Sequence, residues 1–234
     1  MNALHILHTT LATSLLVVTL ITSAAAQDQA PVAKVRLLAF ARIGEDLAVR
    51  ILDPEGEPVI EDSVPLPTQQ LSAAAGLKSR SLVFVSPKND ETILAKAKLP
   101  ATGREFILVF LPSAKDGKYP YFVHALPMPK ESFGSGDYAF LNYSHSAIGC
   151  KINDAKLIIP KGKCSVYKSG AKASDNKKRS IVCYEQQANG KWATQPFFSS
   201  RLIIQSGVRN LILISHNPRT KRIDFRGIAD FVEK

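Results

Sequence analysis

Two stretches of the chain share one pattern, in which a glycine and polar residues precede an apolar run of strand length. Gly103–Phe110 is GREFILVF and Gly207–Ile214 is GVRNLILI, and the two glycines are 104 residues apart (207 − 103). A turn-forming segment follows each run, and an aromatic segment follows each turn, at Tyr119–Leu126 and at Ile223–Asp230. Such runs between turn residues are typical of β-hairpins. The repeat predicts a tandem duplication of one β-module, with a hairpin at the centre of each copy.

Other strand-like segments recur in the same order in both copies, with turn signals between them. They are Val35–Ala41, Leu47–Leu52, Leu82–Val85 and Thr92–Ala97 in the first copy, and Tyr138–Tyr143, Ala147–Ile152, Ile181–Glu185 and Trp192–Leu202 in the second. Short strands at this spacing are typical of sandwiches and barrels. We therefore predict an all-β protein made of two tandem β-sandwich modules, immunoglobulin-like or related.

The module boundaries follow from a segment rich in proline and glycine. Residues 127–136 contain two prolines and then Gly-Ser-Gly, which is typical of a joint that is partly stiff and partly loose. The first module is predicted at residues 35–126 and the second at residues 137–231. Each copy is long enough to bury its own core, so the chain from Asp137 onward is expected to fold alone.

The first 26 residues contain no Lys, Arg, Asp or Glu. An apolar run at Leu15–Ile21 and the small residues Ala24–Ala26 predict a secretory signal peptide that is cleaved after Ala26. A retained membrane anchor is the alternative, although the run is shorter than the roughly 20 residues that a span needs. The prediction is a periplasmic or secreted protein with no transmembrane segment after cleavage.

The chain is basic, with 30 Lys and Arg against 20 Asp and Glu and a formal charge of +10. Outside the cytoplasm, this charge favours an acidic glycan, an anionic membrane surface or an acidic protein as the partner, more than nucleic acid. The alternative is that scattered lysines keep the protein soluble. The cations concentrate in loops of the second copy, which we predict to bind the acidic partner: Lys161, Lys163, Lys168, Lys172, Lys177, Lys178, Arg179, Arg219, Lys221 and Arg222.

Three cysteines lie in the second copy, at Cys150, Cys164 and Cys183. An odd number in an oxidising compartment predicts one internal disulfide and one remaining thiol. If the segments around Cys164 and Cys183 are antiparallel neighbours, these two residues form the disulfide, and Cys150 is then a buried apolar residue. Because no C-x-x-C pair or histidine cluster accompanies the cysteines, no metal site is predicted.

No catalytic motif is present, and we predict a protein without enzymatic activity, catalytic residues or a cofactor. Ser144-His145-Ser146 suggests a nucleophile and a base, but adjacent residues point apart, so a hydrolase is the weaker hypothesis. His145 and His216 lie at corresponding hairpin ends, where they could meet at one rim of the second module. The acidic turn Asp53–Glu57 could offer oxygen ligands to Ca²⁺, with a plain solvated turn as the alternative.

Trp192 follows the turn signal Asn189-Gly190-Lys191. A tryptophan exposed at a turn beside a lysine can stack on a sugar ring or hold a cation. Trp192 is therefore a candidate for ligand stacking, and the alternative is that it anchors the core of the second module.

A signal peptide, two β-sandwich modules and a basic charge together resemble the plan of periplasmic pilus-assembly chaperones. The resemblance is one of architecture, and no site residue is carried over from that family. It implies a second function, in which an exposed strand edge pairs with a client protein. The leading hypothesis remains a non-enzymatic exported or envelope-associated protein that engages an acidic partner through its basic loops.

Overall fold

The computed structural model describes residues 31–41, 47–113, 116–128, 131, 133–170, 177–217, 220 and 222–232. Within these ranges the protein is all-β, with no helix and with 16 strands in four sheets of four strands each. The all-β, sandwich-like fold predicted from the sequence is therefore confirmed. The predicted signal peptide lies outside the described residues.

Each half of the chain provides eight strands. In the first half they are β1 (Ala33–Ala39), β2 (Ala48–Leu52), β3 (Val64–Pro65), β4 (Ala75–Leu77), β5 (Ser81–Ser86), β6 (Asn89–Lys98), β7 (Glu105–Pro112) and β8 (Tyr121–Pro127). In the second half they are β9 (Tyr138–Asn142), β10 (Ile148–Ile152), β11 (Ala155–Ile159), β12 (Cys164–Tyr167), β13 (Lys177–Glu185), β14 (Phe198–Ile204), β15 (Val208–His216) and β16 (Ile223–Phe231).

The two halves have the same strand order. The first half pairs its strands as β4-β1-β7-β8 and β3-β2-β5-β6, and the second half as β12-β9-β15-β16 and β11-β10-β13-β14. In both halves the first strand runs parallel to the seventh, with Leu37 opposite Leu108 and Phe140 opposite Ile212. In both copies the glycine that precedes the seventh strand has a positive φ, +92° at Gly103 and +77° at Gly207. Residues other than glycine rarely adopt this backbone conformation. The sequence repeat thus coincides with a repeat of topology and backbone.

Alternation along the strands builds a core inside each half. In β7, Phe106, Leu108 and Phe110 face the first core, and in β15, Ile212 and Ile214 face the second. Because successive side chains of a strand point to opposite faces, the residues between them point away from these cores.

Those intervening residues form a third core between the two halves. Ile107 and Val109 of β7 pack in one cluster with Leu211 and Leu213 of β15, and all four are at most 1% exposed. Leu38, Leu126, Met128, Phe133, Ala139, Leu141 and Ile228 complete it. The sheet that contains β7 therefore packs against the sheet that contains β15, and the halves meet through a continuous apolar interface.

A buried carboxylate joins the halves beside this core. Asp230 of β16 is 2% exposed and accepts a hydrogen bond from Arg209 Nε at 2.7 Å and another from Arg36 Nη1 of β1. Arg209 also donates to the Phe133 carbonyl at 2.9 Å, and its guanidinium lies 4.9 Å from the centroid of the Phe133 ring. One arginine from each half thus shares a single buried acid.

The predicted disulfide is wrong, because Cys183 bonds to Cys150 and Cys164 is a free thiol. Cys150 of β10 lies directly opposite Cys183 of β13 in the same sheet. Cys164 lies in β12, which pairs with β9 in the other sheet, so it is opposite Leu141 and not Cys183. The predicted strand from Trp192 is also wrong, since β14 begins at Phe198 and Trp192 makes only an isolated bridge to Gln186.

Candidate functional site

The loop cations predicted to bind an acidic partner lie at opposite ends of the second half. Cys164 is opposite Leu141 and Tyr167 is opposite Tyr138, so β12 runs from one end of the sandwich to the other. Lys161 and Lys163 precede β12, and Arg222 precedes β16, at the end where β9 finishes. Lys168, Lys177, Lys178 and Arg179 lie at the opposite end. Lys172, Arg219 and Lys221 lie outside the described residues.

Lys168 has a structural contact with the segment that joins the two halves. Its Nζ lies 2.9 Å from Asp137 Oδ2 and donates to the Glu131 carbonyl at 2.8 Å. Asp137 is 5% exposed and also accepts from the backbone N–H groups of Gly134 and Ser169. Lys168 therefore neutralises a buried carboxylate, which leaves it less available to a ligand than the other predicted cations.

The outer face of the β11-β10-β13-β14 sheet presents a second set of cations. Cys150 and Cys183 point inward to the core. Lys151 follows Cys150 in β10, so it points outward together with its cross-strand partners Lys156 and Val182. Cross-strand partners share a face, which places Lys151 beside Lys156, and Lys178 and Arg201 on the same surface. The outward positions of the four strands are Gly149, Lys151, Lys156, Ile158, Lys178, Ser180, Val182, Tyr184, Ser199, Arg201 and Ile203. We call this surface the basic face.

The basic face carries four cations and no acidic residue at its outward positions. Lys151, Lys156, Lys178 and Arg201 are all exposed, and none forms an ion pair with a described residue. The corresponding face of the first half differs, because Arg50 is paired with Asp90 and lies beside an apolar cluster of Leu52, Val83 and Val85.

Trp192 lies on the basic face and not in the core. Its six-membered ring packs over Gly149, where an added Cβ would lie 3.0 Å from Cζ3 of the indole. Gly149 is directly opposite Tyr184 on one side and Ile158 on the other. Since Trp192 remains 39% exposed, the absence of a side chain at Gly149 lets the indole cover the sheet while part of the ring stays open to a ligand.

The two histidines at the rim do come together. The rings of His145 and His216 stack with their centroids 4.6 Å apart, and the His145 backbone N–H donates to His216 Nδ1 at 3.3 Å. His216 Nε2 lies 3.8 Å from Glu185 Oε1, too far for a hydrogen bond. The same carboxylate oxygen accepts a hydrogen bond from the Ser146 hydroxyl at 2.5 Å. Two shallow pockets flank Glu185, one lined by His145 and Lys161 and the other by His216 and Arg222.

Ser144 is tied to an asparagine and not to a histidine. Its hydroxyl is 2.6 Å from Asn142 Oδ1, and Ser144 is 1% exposed. Asn142 is fully buried, and its Nδ2 donates to the carbonyls of Ser146 and Ile159 at 2.9 Å each. These bonds fix the β9–β10 loop, so the part that Ser144 plays in the described geometry is structural.

The acidic turn after β2 uses its first carboxylate internally. Asp53 Oδ1 accepts from the backbone N–H groups of Glu55 and Glu57 at 3.0 and 2.9 Å. Across the described part of the chain, no three or more His, Cys, Asp or Glu side chains are arranged to hold a metal ion. The described residues also include no helix that is both long and apolar enough to span a membrane.

A half-buried histidine at the interface gives stability a pH dependence. His124 of β8 packs 6.0 Å from the ring of Tyr143, and burial, together with the charge of Lys163, lowers the pKa of His124 below its usual value of 6.5. The unfolded chain therefore binds a proton at a higher pH than the folded protein does. The stability due to neutral His124 is present above pH 6.5 and is lost as the pH falls from there through the lowered folded pKa.

We expect His124→Gln to flatten the dependence of stability on pH between about 7 and 5, because the shifted group is then absent. The measurement is urea unfolding at each pH, with His145→Gln as the control that changes an exposed histidine. An unchanged pH slope in His124→Gln would contradict the assignment.

Three cations of the basic face were not predicted from the sequence, because they lie in strands and not in loops: Lys151, Lys156 and Arg201. The signal that could have found two of them is the pair Asn153-Asp154, a turn dipeptide that joins β10 to β11. A two-residue hairpin there places Lys151 opposite Lys156.

No protein-family model matches this chain, and no curated protein matches it in sequence.

Proposed function

We propose that this protein is an exported, non-enzymatic binding or envelope-associated protein that engages an acidic partner through the positive surface of its second half. The observation that supports this most directly is the basic face, with four exposed cations and no carboxylate among its outward positions. The loop cations Lys161, Lys163 and Arg222 add positive charge at one end of the same half. Such a surface attracts polyanions and releases their counterions, so binding weakens steeply with salt.

The Cys150–Cys183 disulfide supports a periplasmic or secreted location, because disulfides persist in oxidising compartments. In the first half, the equivalent strand pair β2–β5 has Ile51 opposite Phe84 in the core. The matching strand order, parallel pair and glycine conformation support an origin by duplication.

A relation to immunoglobulin sandwiches is the finer proposal. In the constant-type immunoglobulin domain the first strand pairs with the second, whereas here it pairs with the fourth and seventh.

A client-binding chaperone is the second candidate function. The edge strands β11 and β14 expose Ile158 at 60% and Ile203 at 57%. An edge strand with exposed apolar side chains can accept a strand from another chain. Because main-chain hydrogen bonds and apolar contacts drive such pairing, it would resist salt, in contrast to binding by the basic face.

The experiment measures binding of the full mature chain to polygalacturonate over a salt series, with three double variants that each lose two positive charges. Lys151→Gln/Lys156→Gln tests the basic face, Lys161→Gln/Lys163→Gln tests the loops, and Lys96→Gln/Lys98→Gln on the first half is the matched control. We expect the first variant to weaken binding about tenfold at low salt and to reduce the slope of log K against log salt by about two. The control should bind as the unmodified protein does.

Equal losses in all three variants would show attraction by net charge alone and would contradict a defined surface. Loss confined to the loop variant would move the site to the end of the sandwich. Binding that survives high salt would favour strand-edge pairing.

A further inference from the structure

We infer that the acidic partner is a polysaccharide, whose chain lies along the basic face with one sugar ring stacked on Trp192. This inference rests on the proposed function and specifies its ligand class. It draws on the order of side chains along the sheet, on the exposure of the indole and on the number of aromatic platforms.

Apolar and basic positions are separated along the strands. At one level of the sheet, Ile158, Gly149 and Tyr184 are in register, with Trp192 above them. The next outward level holds Lys156 and Lys151, and beyond it lie Arg201 and then Lys178. Outward positions two residues apart are separated by about 6.7 Å. A ligand that lies along the sheet would therefore meet an apolar platform first and cations at successive steps after it.

The platform fits a sugar ring. The indole is held on one side by Gly149, and Trp192 is 39% exposed. A pyranose presents C–H groups on its ring faces, which pack against an aromatic π-surface, while its hydroxyl and carboxylate groups lie at the ring edge. Stacking at Trp192 therefore leaves the acidic groups of the chain free to reach Lys151 and Lys156.

Other polyanions fit less well. A single-stranded nucleic acid stacks successive bases on several exposed aromatic side chains. Among the described aromatic residues of this face only Trp192 is exposed, and the neighbouring Tyr184 is half-buried. A membrane surface would favour apolar side chains that project together beyond the cations. On this face the indole lies down against the sheet, and the exposed Ile158 and Ile203 lie apart on opposite edge strands. A polysaccharide with one acidic group per ring or per few rings needs one platform and widely spaced cations.

The chain contains a single tryptophan, so its tryptophan emission, excited selectively, reports on this site alone. The full mature protein is titrated with polygalacturonate, and in parallel with neutral dextran, an oligothymidylate and phosphatidylglycerol vesicles. We expect polygalacturonate to shift the emission and to protect Trp192 from acrylamide quenching. Dextran should produce neither change at the same concentrations.

Two variants alter stacking on the indole without removing a positive charge, and calorimetry measures their affinity. Trp192→Ala should weaken polygalacturonate binding roughly tenfold and leave the salt slope unchanged, because it removes an aromatic contact and no cation. Gly149→Ala should also weaken binding and alter the emission, since its Cβ would lie 3.0 Å from the indole and displace it.

The outcomes are distinct. If no polyanion binds at low salt, the proposed function itself fails. If polygalacturonate binds but fluorescence and the Trp192→Ala affinity are unchanged, acidic-partner binding stands and the sugar platform is overturned. Tighter binding of the oligothymidylate or the vesicles than of polygalacturonate also overturns the polysaccharide assignment.

Discussion

Replacing Asp230 with Ala is expected to lower the free energy of unfolding by about 3–5 kcal/mol, because it removes the counter-charge of a buried arginine. Asp230 is 2% exposed and Arg209 is 7% exposed, and water cannot readily replace the lost carboxylate. The same change also frees Arg36 of β1 from its contact with the second half. The effect should be seen in urea unfolding as a lower midpoint.

Two controls make this result specific. Glu61→Ala removes an exposed carboxylate from the first half and should change stability by less than about 0.5 kcal/mol. Asp230→Asn keeps the shape but not the charge, and we expect it to lie between Asp230→Ala and the unmodified protein. A loss below about 1 kcal/mol in Asp230→Ala would show that the contacts of Asp230 with Arg36 and Arg209 contribute little to stability.

The isolated second half, residues 137–232, is expected to self-associate instead of remaining a folded monomer. Without the first half, the outward side chains of β9, β15 and β16 lose the partners that cover them, including those of Leu141, Leu211 and Leu213. Removing buried aliphatic side chains from their contacts costs about 25 cal/mol for each Å² of apolar surface exposed to water. Light scattering coupled to size-exclusion chromatography, together with binding of a hydrophobic dye, measures the outcome.

A matched fragment with Leu211→Lys and Leu213→Lys should be less prone to associate, because the exposed face then presents charge. Addition of the first half should restore a one-to-one complex only with the unsubstituted fragment. A monomeric, dye-free and cooperatively unfolding fragment would instead agree with the sequence-based expectation that the chain from Asp137 onward folds alone.

The repeat was readable from the sequence because period-two patterning determines where a strand can bury its side chains. Ile107 and Leu211 were already visible as members of two equivalent apolar runs, and both runs are the seventh strand of their half. The sequence could not show why these two runs are apolar on both faces. One face of each strand packs inside its own half, and the other face packs against the neighbouring half.

The disulfide and the basic face could not be predicted for a related reason. Both depend on which strand pairs with which, and neither pairing was available from spacing. Cys150 and Cys183 are 33 residues apart, yet they are directly opposite in one sheet, whereas Cys164 belongs to a different layer. Lys156 of β11 and Arg201 of β14 likewise lie on one surface only because β10 and β13 pair with each other between these two strands.

Chemical footprinting of lysines would locate the acidic partner on the surface of the unmodified chain. The mature protein is acylated with and without polygalacturonate, and the modified residues are quantified by mass spectrometry. We expect protection of Lys151, Lys156 and Lys178, with Lys96 and Lys98 of the first half modified equally in both samples. Protection that is uniform over the molecule, or that is confined to Lys161 and Lys163, would contradict a binding site on the basic face.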